Sequence, residues 1–270
     1  MSQEPSVEAL RERALDLVDD DPDEAVRVVE EALRRQPDAK GFYVCGVVLC
    51  EVGDAEQGIG ALRMALELDP GLDDAAYTLA REEFANFEFE EAREHVSLAL
   101  RLDPHHPDAR YLRACLRERR GDHDGALRDY QSAALSEPVQ LPMPVPLDDD
   151  EIDAVVESVL SELHPSLQRY LKDVAILVED VPPLEVLEDI EEGAHPTDLL
   201  GCFSGHSLAE RDSTDPWSSL PATITIYRRN LARIAQDRDE LRGELRVTLL
   251  HEIGHFLGLD EVDLAERGLD

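Results

Sequence analysis

The sequence predicts an α solenoid of stacked helix pairs followed by a small α+β domain. Three observations carry this: a repeat of 33–34 residues through the first half, a proline-rich junction at its end, and a change from helical spacing to β-branched alternation beyond it. The chain has 270 residues, enough for two domains, and is 43% hydrophobic, so it can bury a core. Aromatics are only 5%, so packing must rest on Ala, Leu and Val.

The repeat shows in three columns. Pro37, Pro70, Pro104 and Pro138 recur in register with Ala32, Ala65, Ala99 and Ala133, and with Ala25, Gly58, Ala92 and Ala126. Small residues let two helices approach closely, and the proline ends the second helix of each unit because it cannot continue it. Turns are expected at 19–23, 53–54, 86–88 and 121–124. One helix pair cannot bury its apolar face, but stacked pairs can. The period and columns resemble the tetratricopeptide repeat over residues 6–138, as four units. The early aromatic column of that family is weak here, with Phe42 then Ala76 and Arg110.

Tyr43, Tyr77 and Tyr111 also recur every 34 residues, and Arg81 and Phe84 follow Tyr77 by one and two turns. The resemblance implies that the first helix of each pair lines a concave groove, where Tyr and Arg suit binding of a peptide or protein partner. The alternative is that the rings pack between repeats. Tyr fills the column where some relatives carry a carboxylate-clamping pattern, which disfavours a chaperone-tail adaptor.

The stretch 136–150, SEPVQLPMPVPLDDD, reads as an extended, semi-rigid linker. The expected layout is a repeat domain over 1–139, a linker over 140–149 and a second domain over 150–270. In the latter, Ile152, Val155, Val156, Val159, Leu160 and Leu163 follow the spacing of an amphipathic helix. VAILVED (174–180), LLGCFSG (199–205) and ATITIYRR (222–229) read as strands, and a long helix is expected over 238–257. The stretch 206–221 has turn chemistry and holds the single Trp, so a surface loop is expected.

Charge narrows the functions. With 61 acidic and 26 basic residues the formal charge is −35. The acidity is shared, −16 over residues 1–146 and −19 over 147–270. Neither half offers the Lys/Arg surface that nucleic acid or an anionic membrane requires. The first residues, MSQEPSVEALRER, lack a secretory signal pattern, and no apolar run approaches a membrane span. Cys45, Cys50, Cys115 and Cys202 form no C-x-x-C motif and read as small buried hydrophobes in a protein of the reducing cytoplasm.

The chemistry lies in HEIGH, His251–His255. Histidines at i and i+4 share a helical face, so both rings can reach one Zn²⁺. Zinc lowers the pKa of a bound water toward 7, and Glu252 is placed to act as its general base. This motif arises by chance in about 3% of chains of this composition. Its setting among Leu249, Leu250, Ile253, Phe256 and Leu257 argues for function, because a buried histidine pair needs partners. Gly258 can end the helix in a left-handed conformation and turn the chain back, with Asp260 and Glu261 both able to supply a third ligand. The continuation H-E-x-x-H-x-x-G-x-x-E resembles metzincin-type zincins, where the third ligand stands at the place of Glu261; Asp260 is kept as the alternative. The methionine turn of metzincins is absent, since the methionines are Met1, Met64 and Met143.

Residues 150–270 resemble instead the small bacterial zincin-like metallopeptidases, through VAILVED and its following prolines, LLGCFSG, ITIYRRN and RVTLLHEIGHFLGLDE. This implies a zinc-dependent peptidase-like domain that hydrolyses a peptide bond in a peptide or protein substrate. The alternative is a non-catalytic scaffold with a structural or degenerate zincin domain. An extended substrate is expected to pair with a strand edge, 222–227 being the candidate, and Tyr227 or His206 could stabilise an oxyanion. His195, His164 and the histidines of the repeat half (His95, His105, His106 and His123) are expected to lie in loops, at helix ends or on the surface.

Overall fold

The computed structural model describes residues 4–137, 139–189, 194–208 and 222–269. Two compact units arise: Met1–Arg117 with His123–Glu137, and Glu118–Asp122 with Pro138–Asp270.

The first unit is built of eight helices: α1 (Val7–Asp16), α2 (Pro22–Arg35), α3 (Ala39–Glu51), α4 (Ala55–Leu68), α5 (Asp73–Ala85), α6 (Phe89–Leu102), α7 (Pro107–Glu118) and α8 (His123–Ser136). Short polar side chains start several of them. Ser6, Asp21, Asp38 and Asp54 each accept a hydrogen bond from the backbone N–H three residues on, satisfying a donor the helix cannot. The helices that end at Arg35, Leu68 and Leu102 stop two residues before Pro37, Pro70 and Pro104. Pro138 lies outside the described residues.

The small-residue columns are buried: Ala25, Ala65, Ala92, Ala99 and Ala133 have no exposed surface. At Gly58 the reason is visible, since a β-carbon there would collide with Cys50 Sγ across the α3–α4 contact. Fully buried Glu83 pairs with Arg63 at 2.9 Å and meets His95 Nδ1 at 2.6 Å. His95 therefore departs from the surface placement expected of it: it is half-buried because a buried carboxylate needs partners.

The second unit begins with α9 (Asp149–Glu162), which opens on a capping box between Asp148 and Glu151. There follow α10 (Pro165–Leu171), β1 (Ala175–Glu179), α11 (Leu184–Leu187), β2 (Gly201–Ser204), β3 (Thr223–Tyr227), α12 (Arg228–Ile234), α13 (Arg238–Leu257) and α14 (Glu261–Ala265). The sheet order is β1-β3-β2, with β1 parallel and β2 antiparallel to β3. Helix α13 packs on β2, β3 and α9. Its Leu245, Leu249, Ile253 and Phe256 join Ile224 and Ile226 of β3 and Ile152 and Val159 of α9 in one core. Arg238 and Arg242 reach Glu151, and Arg246 reaches Glu162, so a basic stripe at i, i+4 spacing ties α13 to α9.

Two details differ from the sequence reading. Arg228 and Arg229 start α12 rather than extend the third strand. Within the proline-rich stretch, Val145 donates its N–H to Ala232 O at 2.7 Å, and Val145 and Leu147 pack on the core, so this part is docked rather than free. Of the expected loop 206–221, residues 209–221 lie outside the described residues. No helix among the described residues is long and apolar enough to cross a membrane.

Candidate metal centre

Helix α13 starts where Asp237 caps the backbone N–H groups of Asp239 and Glu240, and ends at Gly258 with φ +91°. That left-handed residue reverses the chain, as its sequence position suggests, and Leu259 N–H then bonds Gly254 O at 3.0 Å. The reversal brings α14 back beside the last two turns of α13.

His251, His255 and Glu261 converge there, with one donor atom from each within 4.8 Å of the others. The two Nε2 atoms lie 2.9 Å apart, and Glu261 lies 3.1 Å from His255 Nε2 and 3.8 Å from His251 Nε2. Each ring's other nitrogen meets a backbone carbonyl: His251 Nδ1 is 2.5 Å from Leu269 O, and His255 Nδ1 is 3.2 Å from Leu259 O. A carbonyl can only accept, so these contacts place a proton on each Nδ1, and a neutral ring then turns its Nε2 lone pair inward. Two such lone pairs and a carboxylate oxygen need a proton or a metal cation between them. Such a donor set of nitrogen and oxygen fits zinc, and the carbonyl partners are of the kind that orient metal-binding imidazoles.

Asp260 is placed differently. Its side chain accepts from Asp263 N–H at 2.9 Å and caps α14, while the Glu261 side chain is 75% exposed and reaches the histidines. Among the described residues the donor cluster has three members.

Glu252 lies on the sheet side of the same turn, 6% exposed. Burial pushes its carboxyl above the ordinary range; His251 and His255 pull the other way, as does the nearby Phe203 backbone N–H. Register explains why that N–H faces Glu252. Tyr227 N–H pairs with Leu200 O at 2.8 Å, so along β2 the alternate residues Gly201 and Phe203 turn their backbone groups to the outer edge, toward α13. Gly201 also makes the space: a β-carbon there would come within 3.0 Å of Glu252 Oε1 and 2.9 Å of Thr248 Cγ2. A cleft of about 220 Å³ runs beside this point, bordered by Leu200, Gly201, Thr248, His251, Glu252 and Leu269.

The remaining expectations divide. The strand edge proposed for substrate, 222–227, belongs to β3, which is paired on both sides; β2 supplies the edge next to Glu252 instead. Tyr227 is 1% exposed, and burial, then the neighbouring Cys202, Glu179 and Glu252, push its phenol upward. His206 keeps a buried Nδ1 with no hydrogen-bond partner. His164 caps α10, and His195 Nδ1 sits 2.7 Å from Thr197 Oγ1. The four cysteines are free, and Cys45 and Cys115 are buried while Cys50 and Cys202 are half-buried.

In the repeat half, Tyr43, Tyr77 and Tyr111 are half-buried, and each touches a neighbouring helix. Tyr43 packs against the cluster of Ile59, Leu62 and Leu79, Tyr77 lies at 4.5 Å from the His106 ring, and Tyr111 meets Tyr130 edge-on at 4.9 Å. Arg81 pairs with Glu82 at 2.7 Å. Phe84 does not fit a groove: it is 2% exposed and packs edge-on against Phe89, because it lies at the end of α5, where the turn into α6 brings Phe89 over it.

The signals that sequence reading missed are Gly201, the Phe203 amide and the carbonyls of Leu259 and Leu269. Backbone groups carry no residue code, and only the small side chain at 201 beside a buried helix could have hinted at them.

Two families match the chain: zincin-like metallopeptidase over residues 171–269, and tetratricopeptide repeat over 77–140. No curated protein matches it. Among solved structures, a crystal structure of MamA is 21% identical over 50% of this chain and 80% of its own, with a TM-score of 0.44. A MamA fragment from Desulfovibrio magneticus RS-1 is 22% identical over 50% and 77%, TM-score 0.44. YrrB, described as a TPR protein with an unusual peptide-binding site, is 22% identical over 49% and 70%, TM-score 0.43. The chain thus joins tetratricopeptide repeats to a zincin-like metallopeptidase domain.

Proposed function

We propose that the chain is a zinc-dependent metallopeptidase whose repeat region binds a substrate or partner protein. The observation that carries this is the juxtaposition of an inward-facing His251–His255–Glu261 donor set with buried Glu252 at the wall of a cleft. His251, His255 and Glu261 would hold the ion. Bound zinc supplies Lewis acidity toward a carbonyl and acidifies water.

Glu252 is the general base. It lies beside the His251–His255–Glu261 donor set at the wall of the cleft, where a carboxylate can accept a proton at an oxygen and pass it to a leaving amine. The outer edge of β2 offers the Gly201 backbone groups to an extended peptide. Asp260 acts as a helix cap rather than a ligand. A three-donor set supports a catalytic site over a closed structural one, which takes four protein ligands.

In the repeat half, Tyr43, Tyr77, Arg81 and Tyr111 are half-buried and so retain surface for a peptide partner, while Phe84 serves the core. The free cysteines suit a reducing cytoplasm. The test measures zinc content and cleavage of a peptide library together. Glu252→Gln is expected to keep zinc and lose hydrolysis by about 10²–10⁴-fold. Unchanged cleavage in Glu252→Gln would remove Glu252 from the mechanism, and zinc retention without cleavage in the wild type would favour a non-catalytic scaffold.

A further inference from the structure

Helix α14 is only five residues long, yet both of its ends touch the metal centre. Its first residue is Glu261. Its last turn closes with Gly268 N–H on Ala265 O at 3.0 Å and Leu269 N–H on Leu264 O at 3.1 Å, with Gly268 at φ +69°. This paired closure around a left-handed residue fixes where the chain goes next. It carries the Leu269 carbonyl to His251 Nδ1, 2.5 Å away. Between the two ends, Leu264 is fully buried and rests against Gly254, where a β-carbon would run into Leu264 Cδ2.

Resting on the zinc reading above, we propose that α14 with its glycine cap is a two-ended clip that sets the metal site. One end delivers the Glu261 carboxylate. The other fixes the tautomer and rotation of the His251 ring through the Leu269 carbonyl. Gly268 and Gly254 are positioning residues: the first permits the left-handed turn, and the second lets Leu264 seat the helix on α13. Without the carbonyl, the His251 proton is free to move to Nε2, which would present an N–H where a lone pair is required.

Gly268 makes a clean probe, because a β-carbon there meets nothing within 4 Å, so a substitution acts through backbone preference alone. Valine opposes φ above zero, whereas asparagine tolerates it. The experiment uses the full chain with ¹⁵N-labelled histidine. It reads the His251 ring signals by NMR without metal, and Zn²⁺ affinity by competition with a chelator. Gly268→Val is expected to lose the Nδ1–H signature of His251 and to bind Zn²⁺ on the order of 10–100-fold more weakly. Gly268→Asn is expected to keep both. Gly254→Ala, which unseats Leu264, should repeat the valine result and serves if that variant folds poorly.

Wild-type ring signals and affinity in Gly268→Val would overturn the clip. If wild-type protein binds no Zn²⁺, the metal reading fails, and the ring signals of Gly268→Val against wild type still decide the clip.

Discussion

Glu252 depends on a residue with no side chain. Gly201 leaves the gap into which the carboxylate lies, since a β-carbon there would come within 3.0 Å of Glu252 Oε1. Gly201→Val is therefore expected to push Glu252 out of place. Hydrolysis of a peptide should fall at least 10²-fold, in line with loss of a general base, while zinc content stays at the wild-type level. Kinetics beside metal analysis check this, and wild-type turnover in Gly201→Val would contradict it. The two histidines and Glu252 were legible in the sequence because helical spacing alone puts them on neighbouring faces. The preference for Glu261 over Asp260 rested on the zincin resemblance rather than on spacing, because the sequence does not specify the backbone path of the reversal; in the structure Asp260 caps α14.

At the scale of elements, helix starts are carried by acids, and Asp38 illustrates the consequence for pH. It caps α3 and also meets Arg11, a nearly buried guanidinium, at 2.6 Å. Burial works to raise its pKa, but Gly41 N–H, Gln36 and Arg11 outweigh it and hold the carboxyl below its ordinary value. A folded-state pKa below the unfolded one stabilises fully above the unfolded value, about 3.9, and that contribution disappears as pH falls through the lowered one. Asp38→Asn retains capping capacity but not charge. Its urea midpoint is expected to fall less than that of the wild type on acidification below about pH 4; parallel declines would contradict the assignment. The repeat helices, α9, α13 and the three strands were legible from period and β-branching, whereas the short helices α10, α11 and α12 were not read. Strand order was not, because alternation shows which face a strand buries but not which neighbours it pairs with. That is why 222–227 looked like an edge and proved central. Likewise, Phe84 shares the Tyr77 face by spacing, but that spacing does not show that Phe89 of α6 covers it at the end of α5.

Across the whole molecule, two chemistries share one acidic chain. The repeat columns and the zinc motif occupy separate compact units, and each was legible because it repeats or clusters residues at fixed spacing. What stayed hidden was the supporting frame, the carbonyls of Leu259 and Leu269 and the docked stretch at 145–147, since these act through backbone atoms any residue could supply. The central claim is that His251, His255 and Glu261 form one zinc site. The most direct measurement is zinc stoichiometry with X-ray absorption at the zinc edge, on wild type and on His251→Ala, Glu261→Ala and Asp260→Ala. One zinc per chain with two imidazoles in its shell is expected in the wild type and in Asp260→Ala, and its loss or severe weakening in the other two. A wild type that takes up no zinc, or zinc bound equally well by His251→Ala, would contradict the account.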